Sequence, residues 1–349
     1  MKKKLLAVAV VGALASPAAF AQTLYGIVDV GYQNSKYADG DVNKHFIQSG
    51  QHSGSRLGVR GSEDLAAGTY VMYQIEFNIV ADTGGPGATD TTRLTFVGLG
   101  SKAWGELTLG QQYTHSFHTF AVGSAAGYGT FSSFYTGGAT GSVIATRASN
   151  SVKYSSPVMS GFSVGALWSP GVATEPTAVG ASGNGNYMDF AVRYTPGPFG
   201  VAISHAIATA EAAGVDNDTD STQITANWDN RAFGIYGGFQ QRENDGAVGG
   251  ATAVDSEAWW LSAVARFGGR HELYFLYGQG ENNLVTGQES KRMAITYQHV
   301  MSKRTRIYTS IGRVTNEGGA TGVLNGQAGA APAANYDPRG FQLGLLHSF

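Results

Sequence analysis

Stretch after stretch of this chain alternates apolar and polar residues with a period of two, the spacing that turns successive side chains to opposite faces of a β-strand. In the first clear segment Leu24, Val28, Val30 and Tyr32, with Gly26 among them, share one face, while Thr23, Tyr25, Asp29 and Gly31 share the other. Further on, Val71, Tyr73, Ile75, Phe77 and Ile79 alternate with Tyr70, Gln74, Glu76 and Asn78. Met293, Ile295 and Tyr297 alternate with Arg292, Thr296 and Gln298, and the chain ends with Phe341, Leu343, Leu345, His347 and Phe349 on one face. Applied throughout, the pattern predicts strands near 22–34, 54–63, 68–80, 91–100, 104–113, 150–157, 161–169 and 186–195. The second half adds 198–208, 218–229, 231–242, 254–267, 270–280, 289–300, 303–315 and 338–349.

The predicted connections alternate in length. Tight links fall at 63–67, 101–103, 157–160, 196–198, 229–230, 268–269 and 301–303, and longer polar ones lie between them, from 35–53 to 316–337. A soluble β-sandwich has no reason to alternate link length along its whole chain, whereas a transmembrane barrel places short turns at one membrane face and long loops at the other. In hydrocarbon no water satisfies an edge strand, so such a sheet must close on itself. A barrel this wide keeps an aqueous channel, while eight strands are filled by their own side chains. The expected fold class is therefore all-β: one sixteen-stranded antiparallel transmembrane β-barrel over 22–349.

Residues 1–21 stand apart. Lys2, Lys3 and Lys4 precede an apolar run, and Ala19-Phe20-Ala21 supplies a small-x-small site, so this segment reads as a cleaved export signal. Removing those three lysines from 23 basic residues leaves 20 against 25 acidic ones, a formal charge of −5. That balance speaks against nucleic acid as a partner. The chain has no cysteine, which excludes disulfides and thiolate metal sites. No cofactor is expected. His115 and His118 have no third ligand in their own loop, and Asp216, Asp218 and Asp220, placed in an external loop, lack the glycine and terminal glutamate of a calcium loop.

The ordered motifs resemble those of the general porins of β-proteobacteria, the Burkholderia, Bordetella, Comamonas and Neisseria type. The resemblance rests on Thr23-Leu24-Tyr25-Gly26 with Asp29 and Gly31, on Ser55-Arg56-Leu57-Gly58-Val59-Arg60-Gly61-Ser62-Glu63-Asp64-Leu65, and on Phe96-Val97-Gly98-Leu99. Leu107-Thr108-Leu109-Gly110, Asn150-Ser151-Val152-Lys153-Tyr154 and Ser302-Lys303-Arg304-Thr305 follow in the family's order, up to the terminal Phe349. The resemblance implies an outer-membrane homotrimer, contacting membrane lipid and lipopolysaccharide, whose third external loop folds into the barrel as a constriction. It implies passive diffusion of ions and small hydrophilic solutes, with a solute-specific channel as the alternative, and insertion by the barrel-assembly machinery with Phe349 as the signal. Two departures are Gln111, where the family often has Arg, and the ending Leu346-His347-Ser348-Phe349, which is less basic than in relatives.

The connection 113–148 is the longest, is rich in glycine, serine and aromatics, and has Arg147 as its one formal charge. By the period-two rule Arg56 and Arg60 share the inward face of the second strand, since Leu57 and Val59 face lipid. Arg93 is placed inward opposite outward Leu94 and Phe96, and Lys153 inward between Val152 and Tyr154. The resemblance implies that Arg56, Arg93 and Arg147 line one wall of the constriction. Each of these could instead be a structural arginine bonded to loop carbonyls or to Asp29 and Glu76. Selectivity is decided where charged side chains ring the narrow point. Because 113–148 contains no Asp or Glu, the expectation is an anion preference despite the negative net charge, provided Asp29 and Glu76 do not neutralise the arginines. An enzyme of the outer membrane, the competing class, needs a nucleophile beside a base, and no Gly-x-Ser-x-Gly elbow is present.

Overall fold

The computed structural model describes residues 22–36, 43–86, 92–126, 130–134, 145–170, 186–212, 215–244, 253–324 and 333–349; the presumed leader 1–21 lies outside them. Sixteen strands make the wall. They are β1 (Thr23–Lys36), β2 (Arg56–Asp64), β3 (Thr69–Val80), β4 (Thr92–Ser101), β5 (Gly105–Tyr113), β6 (Arg147–Ser155), β7 (Phe162–Ser169) and β8 (Tyr187–Tyr194), then β9 (Phe199–Ala212), β10 (Val215–Asp229), β11 (Phe233–Asn244), β12 (Val254–Phe267), β13 (His271–Asn282), β14 (Gln288–Val300), β15 (Thr305–Glu317) and β16 (Arg339–Ser348). Two shorter segments, Asn43–Ser49 and Gly85–Pro86, extend the sheet beside β1 and β3. Every neighbouring pair is antiparallel, and the sheet closes because β1 pairs with both β2 and β16, from Thr23↔Arg60 on one edge to Lys36↔Arg339 on the other. No described helix is long and apolar enough to cross a membrane.

The two faces of the wall separate by chemistry. On β3, Ile75 and Phe77 are 40% and 47% exposed while Glu76 between them is 2% exposed. The same contrast runs round the barrel, with Leu107 and Leu109, Met188 and Phe190, Met293 and Ile295 exposed and Thr108, Asp189, Arg292 and Thr296 buried. In water the outward apolar band would be a large aggregation surface. In lipid it is the solvated face, and the polar side chains turn to the interior.

Strict alternation fails on β4. Pairing between β3 and β4 shifts between Glu76 and Phe77, so that Glu76 faces Leu94 and Phe77 faces Thr92, with Arg93 left as the extra residue of a bulge. Leu94 and Phe96 were expected to face lipid. Leu94 is instead 6% exposed, Phe96 sits opposite the interior-facing Gln74, and Val97 and Leu99 take the outer face. Arg93 does reach the interior, but through the bulge. A second shift, between Gly110 and Gln112 on β5, rests on Gly110 at φ +132°, where any Cβ would run into the carbonyl of Thr95.

The alternation of link length is present, with one exception. β9 and β10 are joined by residues 213–214 alone, since they pair as far as Ala212↔Val215. Asp216, Asp218 and Asp220 therefore belong to β10 and not to an external loop; the predicted strand 218–229 already held the last two, and pairing carries the strand back past Asp216. Asp220 lies 3.3 Å from His205, and no metal-holding cluster is found among the described residues.

The register gives a direct test. Ile75→Arg or Val97→Arg should destabilise the barrel by roughly 2–4 kcal/mol near the bilayer midplane, and Gln74→Arg by much less. Urea titration of the barrel folded into lipid vesicles measures both, and equal sensitivity at Gln74 and Ile75 would overturn the assigned faces.

Candidate functional site: a cationic cluster on the inner wall

After β5 the chain leaves the wall at Thr114, whose hydroxyl oxygen accepts from the Phe117 N–H and caps a short helix, α1 (His115–Val122). A train of interior side chains then holds it. The Ser116 N–H and hydroxyl both donate to the buried Asp189 carboxylate of β8, at 2.8 and 2.9 Å. Arg193 donates to the His115 carbonyl at 3.0 Å, and Gly165 of β7 leaves the space that the His115 imidazole fills. On β10 the Thr225 hydroxyl and the Asn227 amide donate to the carbonyls of Thr119 and Val122, each at 2.7 Å, and the Trp260 indole of β12 donates to Gly123 at 2.8 Å.

Beyond the helix, Arg292 of β14 donates to the Ser133 carbonyl at 2.9 Å and to the Val323 carbonyl of the long β15–β16 link, with its guanidinium 5.4 Å over the Phe134 ring. Phe120 and Phe134 bury against Trp260, Leu276 and Ala258, and Phe131 against Ala294, Val314 and Leu324. Hydrogen bonds between uncharged groups are worth about 1 kcal/mol each and those to charged groups about 1.5–3 kcal/mol, so this set, with the buried aromatic rings, offsets the entropy of ordering the eight-residue helix and holds the described part of the segment against the wall. Residues 127–129 and 135–144 lie outside the described ones.

Beside the start of the helix, where Tyr113 stacks on Phe117, the cations gather. Glu76 accepts from Arg93 Nε at 2.7 Å and from the Tyr25 hydroxyl at 2.8 Å, and lies 3.8 Å from Arg56. Arg93 also donates to the Tyr113 hydroxyl at 2.8 Å. The Arg147 guanidinium stands 5.1 Å over the Tyr113 ring, and Lys153 Nζ donates to the Tyr113 carbonyl at 2.8 Å. Arg60 stands 5.2 Å over the Tyr25 ring. Arg56 feels both Arg93 and Arg147 electrostatically. A cavity of about 390 Å³ opens here, lined by Arg56, Arg60 and Lys153 with Glu76, Glu106, Tyr113 and His118.

Arg56 has structural partners and a place in the cavity lining at once. Arg56 donates to the Gly54 carbonyl and the Ser53 hydroxyl, both at 2.8 Å, and also lines the cavity. Asp29 interacts with Arg56 electrostatically, but its hydrogen bonds go elsewhere: its carboxylate accepts from the N–H groups of His52 and Ser53 at 2.6 and 2.7 Å and from the Tyr308 hydroxyl at 2.7 Å. It shapes the turn from which Arg56 is held. Glu76 does pair with arginine. Tyr113, which gathers three cations by ring, hydroxyl and carbonyl, and Arg292 were not singled out from the sequence. Tyr113 sits at the start of a long link, and alternation turns Arg292 inward without showing which loop carbonyls it meets.

The comparisons with known proteins agree with this architecture. The family model described as Gram-negative porin matches residues 7–319. The outer membrane porin protein 32 of Delftia acidovorans is 30% identical over the full length of both chains. An outer membrane porin protein of Bordetella pertussis is 25% identical, covering 88% of this chain and 93% of its own. Among solved structures, the anion-selective porin from Comamonas acidovorans superposes with a TM-score of 0.82 at 25% identity, over 95% of this chain and all of its own. A closed barrel, apolar outside and polar within, thus carries the family pattern along nearly its whole length, and the chain belongs to the Gram-negative porins, outer-membrane channels for passive diffusion.

Proposed function

We propose that this porin prefers anions, and that the segment 114–146 folds into the lumen to form the constriction facing the cationic wall. The observation that carries the reading is the convergence of Arg56, Arg60, Arg93, Arg147 and Lys153 on Tyr113 and Tyr25, with Glu76 and Glu106 as the acids lining the same cavity. In the cavity lining Arg56, Arg60 and Lys153 stand against Glu76 and Glu106, and Arg93 and Arg147 add to them from Tyr113, which leaves a positive surplus where low-dielectric walls focus the field. The surface carboxylates that make the net charge negative act through a Debye length of about 8 Å at physiological salt, which screens them. The relative of known structure from Comamonas acidovorans is described as anion-selective, which supports the same sign. The transported class is small ions and hydrophilic solutes, with no enzymatic step.

A homotrimer belongs to this reading, as does export with removal of 1–21. Phe349 supports a role as the signal for the insertion machinery. Its N–H and carbonyl pair with Gly26 at 3.1 Å each, so the last residue completes the closing seam, while its ring remains exposed on the lipid side.

Three measurements test these statements. Across a planar bilayer with a salt gradient, the zero-current potential should have the anion-selective sign, and Arg56→Gln with Arg93→Gln should shift it toward zero. A cation-selective potential that the double variant leaves unchanged would overturn the electrostatic reading. The second concerns pH. Burial, helped by the charges of Lys153 and Arg193, pushes the His118 imidazole down to about 3, so it stays neutral in the folded channel. Selectivity between pH 5 and 8 should therefore be the same in His118→Gln as in the parent. Because the unfolded imidazole takes up its proton near its ordinary value of about 6.5, the stability His118 contributes is complete above that pH and declines as pH falls toward 3. Third, deleting Phe349 should sharply reduce folded, heat-modifiable protein in the outer membrane while export continues, and undiminished amounts would exclude the signal role.

A further inference from the structure

We infer that the cavity at the cationic cluster is a subsite for a singly charged amphipathic anion, a carboxylate carried on an aromatic ring, which it takes in preference to inorganic anions and small dicarboxylates. The inference deepens the anion reading above and rests on it for the charged half of the site.

The irregularity of β4 makes the apolar half. Alternation assigns Leu94 and Phe96 to the lipid face, but the bulge at Arg93 turns both inward, where they line the cavity of about 390 Å³ together with Met72 of β3. Glu76 faces Leu94, Gln74 faces Phe96 and Met72 faces Gly98, so the three apolar side chains form one strip that descends toward the tight-turn end of the wall. Leu94 is largely covered, while Phe96 and Met72 are half-buried. Large inward apolar side chains farther round the barrel have a cover that accounts for them. Trp260 and Leu276 pack on Phe120 and Phe134, and Val314 packs on Phe131 and Leu324. None of the buried clusters among the described residues contains Met72, Leu94 or Phe96. Their apolar surface lines a space that a solute can enter.

Cations border the strip. Arg60 pairs with Gln74, the neighbour of Phe96, and Lys153 pairs with Thr108, the neighbour of Gly98. Arg56 lies 3.8 Å from Glu76, which faces Leu94. Sites for organic ligands are built in this way, with apolar and aromatic surface for the body and a few polar groups that fix its orientation. A guanidinium takes a carboxylate through two parallel, charge-assisted hydrogen bonds. A ring laid on Phe96 and Met72 then leaves water. Chloride finds the same cations and gains nothing from the strip. A second negative charge is disfavoured twice over. It loses water against apolar surface, and it meets the carboxylates of Glu76 and Glu106 in the same lining.

The test uses the full-length folded protein in a planar bilayer at neutral pH, with chloride current as the readout and benzoate, acetate, succinate and benzyl alcohol as probes. Benzoate should block the current saturably, at a half-blocking concentration about fivefold below that of acetate and also below that of succinate. Covering roughly 40 Å² of ring face, at about 25 cal/mol per Å², gives that factor. Met72→Gln with Phe96→Gln should bring benzoate to the level of acetate, with heat-modifiable migration on gels showing that the barrel is folded. Equal half-blocking concentrations of benzoate and acetate in the parent overturn the proposal without recourse to any variant. Tighter block by succinate would make the site a reader of charge alone, and block by benzyl alcohol as tight as by benzoate would make it purely apolar; either outcome overturns the proposal. A benzoate preference that survives in the folded double variant would overturn the assignment to the strip. Should the parent prefer benzoate to acetate yet conduct cations preferentially, the strip would stand and the selectivity reading would fall.

Discussion

A peptide group in hydrocarbon has no water to bond, and leaving it unpaired costs several kcal/mol. Because the strands carry that obligation around the whole circumference, the sheet has to return to its start, and β1 pairs with β2 along one edge and with β16 along the other. Closure then divides every strand into an outward and an inward row. Lipid selects Ile75, Phe77, Leu107 and Leu109 for the outer row, and water in the lumen permits Glu76, Arg56 and Lys153 in the inner one. Charged residues that no soluble core would accept are therefore carried here, at the cost of partial desolvation and mutual repulsion.

That repulsion is managed by aromatic and backbone oxygen atoms more than by acids. Tyr113 presents a ring face to Arg147, a hydroxyl to Arg93 and a carbonyl to Lys153, three different electron-rich surfaces from a single uncharged residue. Glu76 is shared between Arg93, Arg56 and the Tyr25 hydroxyl, so one carboxylate steadies two cations and leaves the cluster positive. Asp29 is occupied with the backbone of His52 and Ser53, where it orders the turn beside Arg56. A site of this kind keeps its cations in place while preserving their field.

The opposite side of the lumen is organised by a different economy of contacts. From Gly165 and Asp189 round to Arg292 and Thr296, interior side chains give the segment after β5 a succession of polar attachments, and Phe120, Phe134 and Phe131 sink between them. Arg292 also reaches Val323, so the segment after β5 and the link after β15 share one anchoring side chain.

The sequence by itself determined the strands, their number and which way most of them face, because lipid on one side and water on the other enforce a period of two that any reader of residues can see. It also located the inward Arg56, Arg60 and Lys153. Tertiary structure alone decided the rest. Arg93 enters the lumen because β4 bulges against Glu76, and a one-residue irregularity of that kind leaves no trace in hydropathy when it turns Leu94 and Phe96 inward. Asp216 stands in a strand because β9 and β10 keep pairing beyond the predicted 218–229, where backbone hydrogen bonds persist without apolar side chains to announce them. The gathering of cations on Tyr113 depends on which strands become neighbours and how deep each residue sits. Those are properties of a closed cylinder, and a linear pattern cannot hold them.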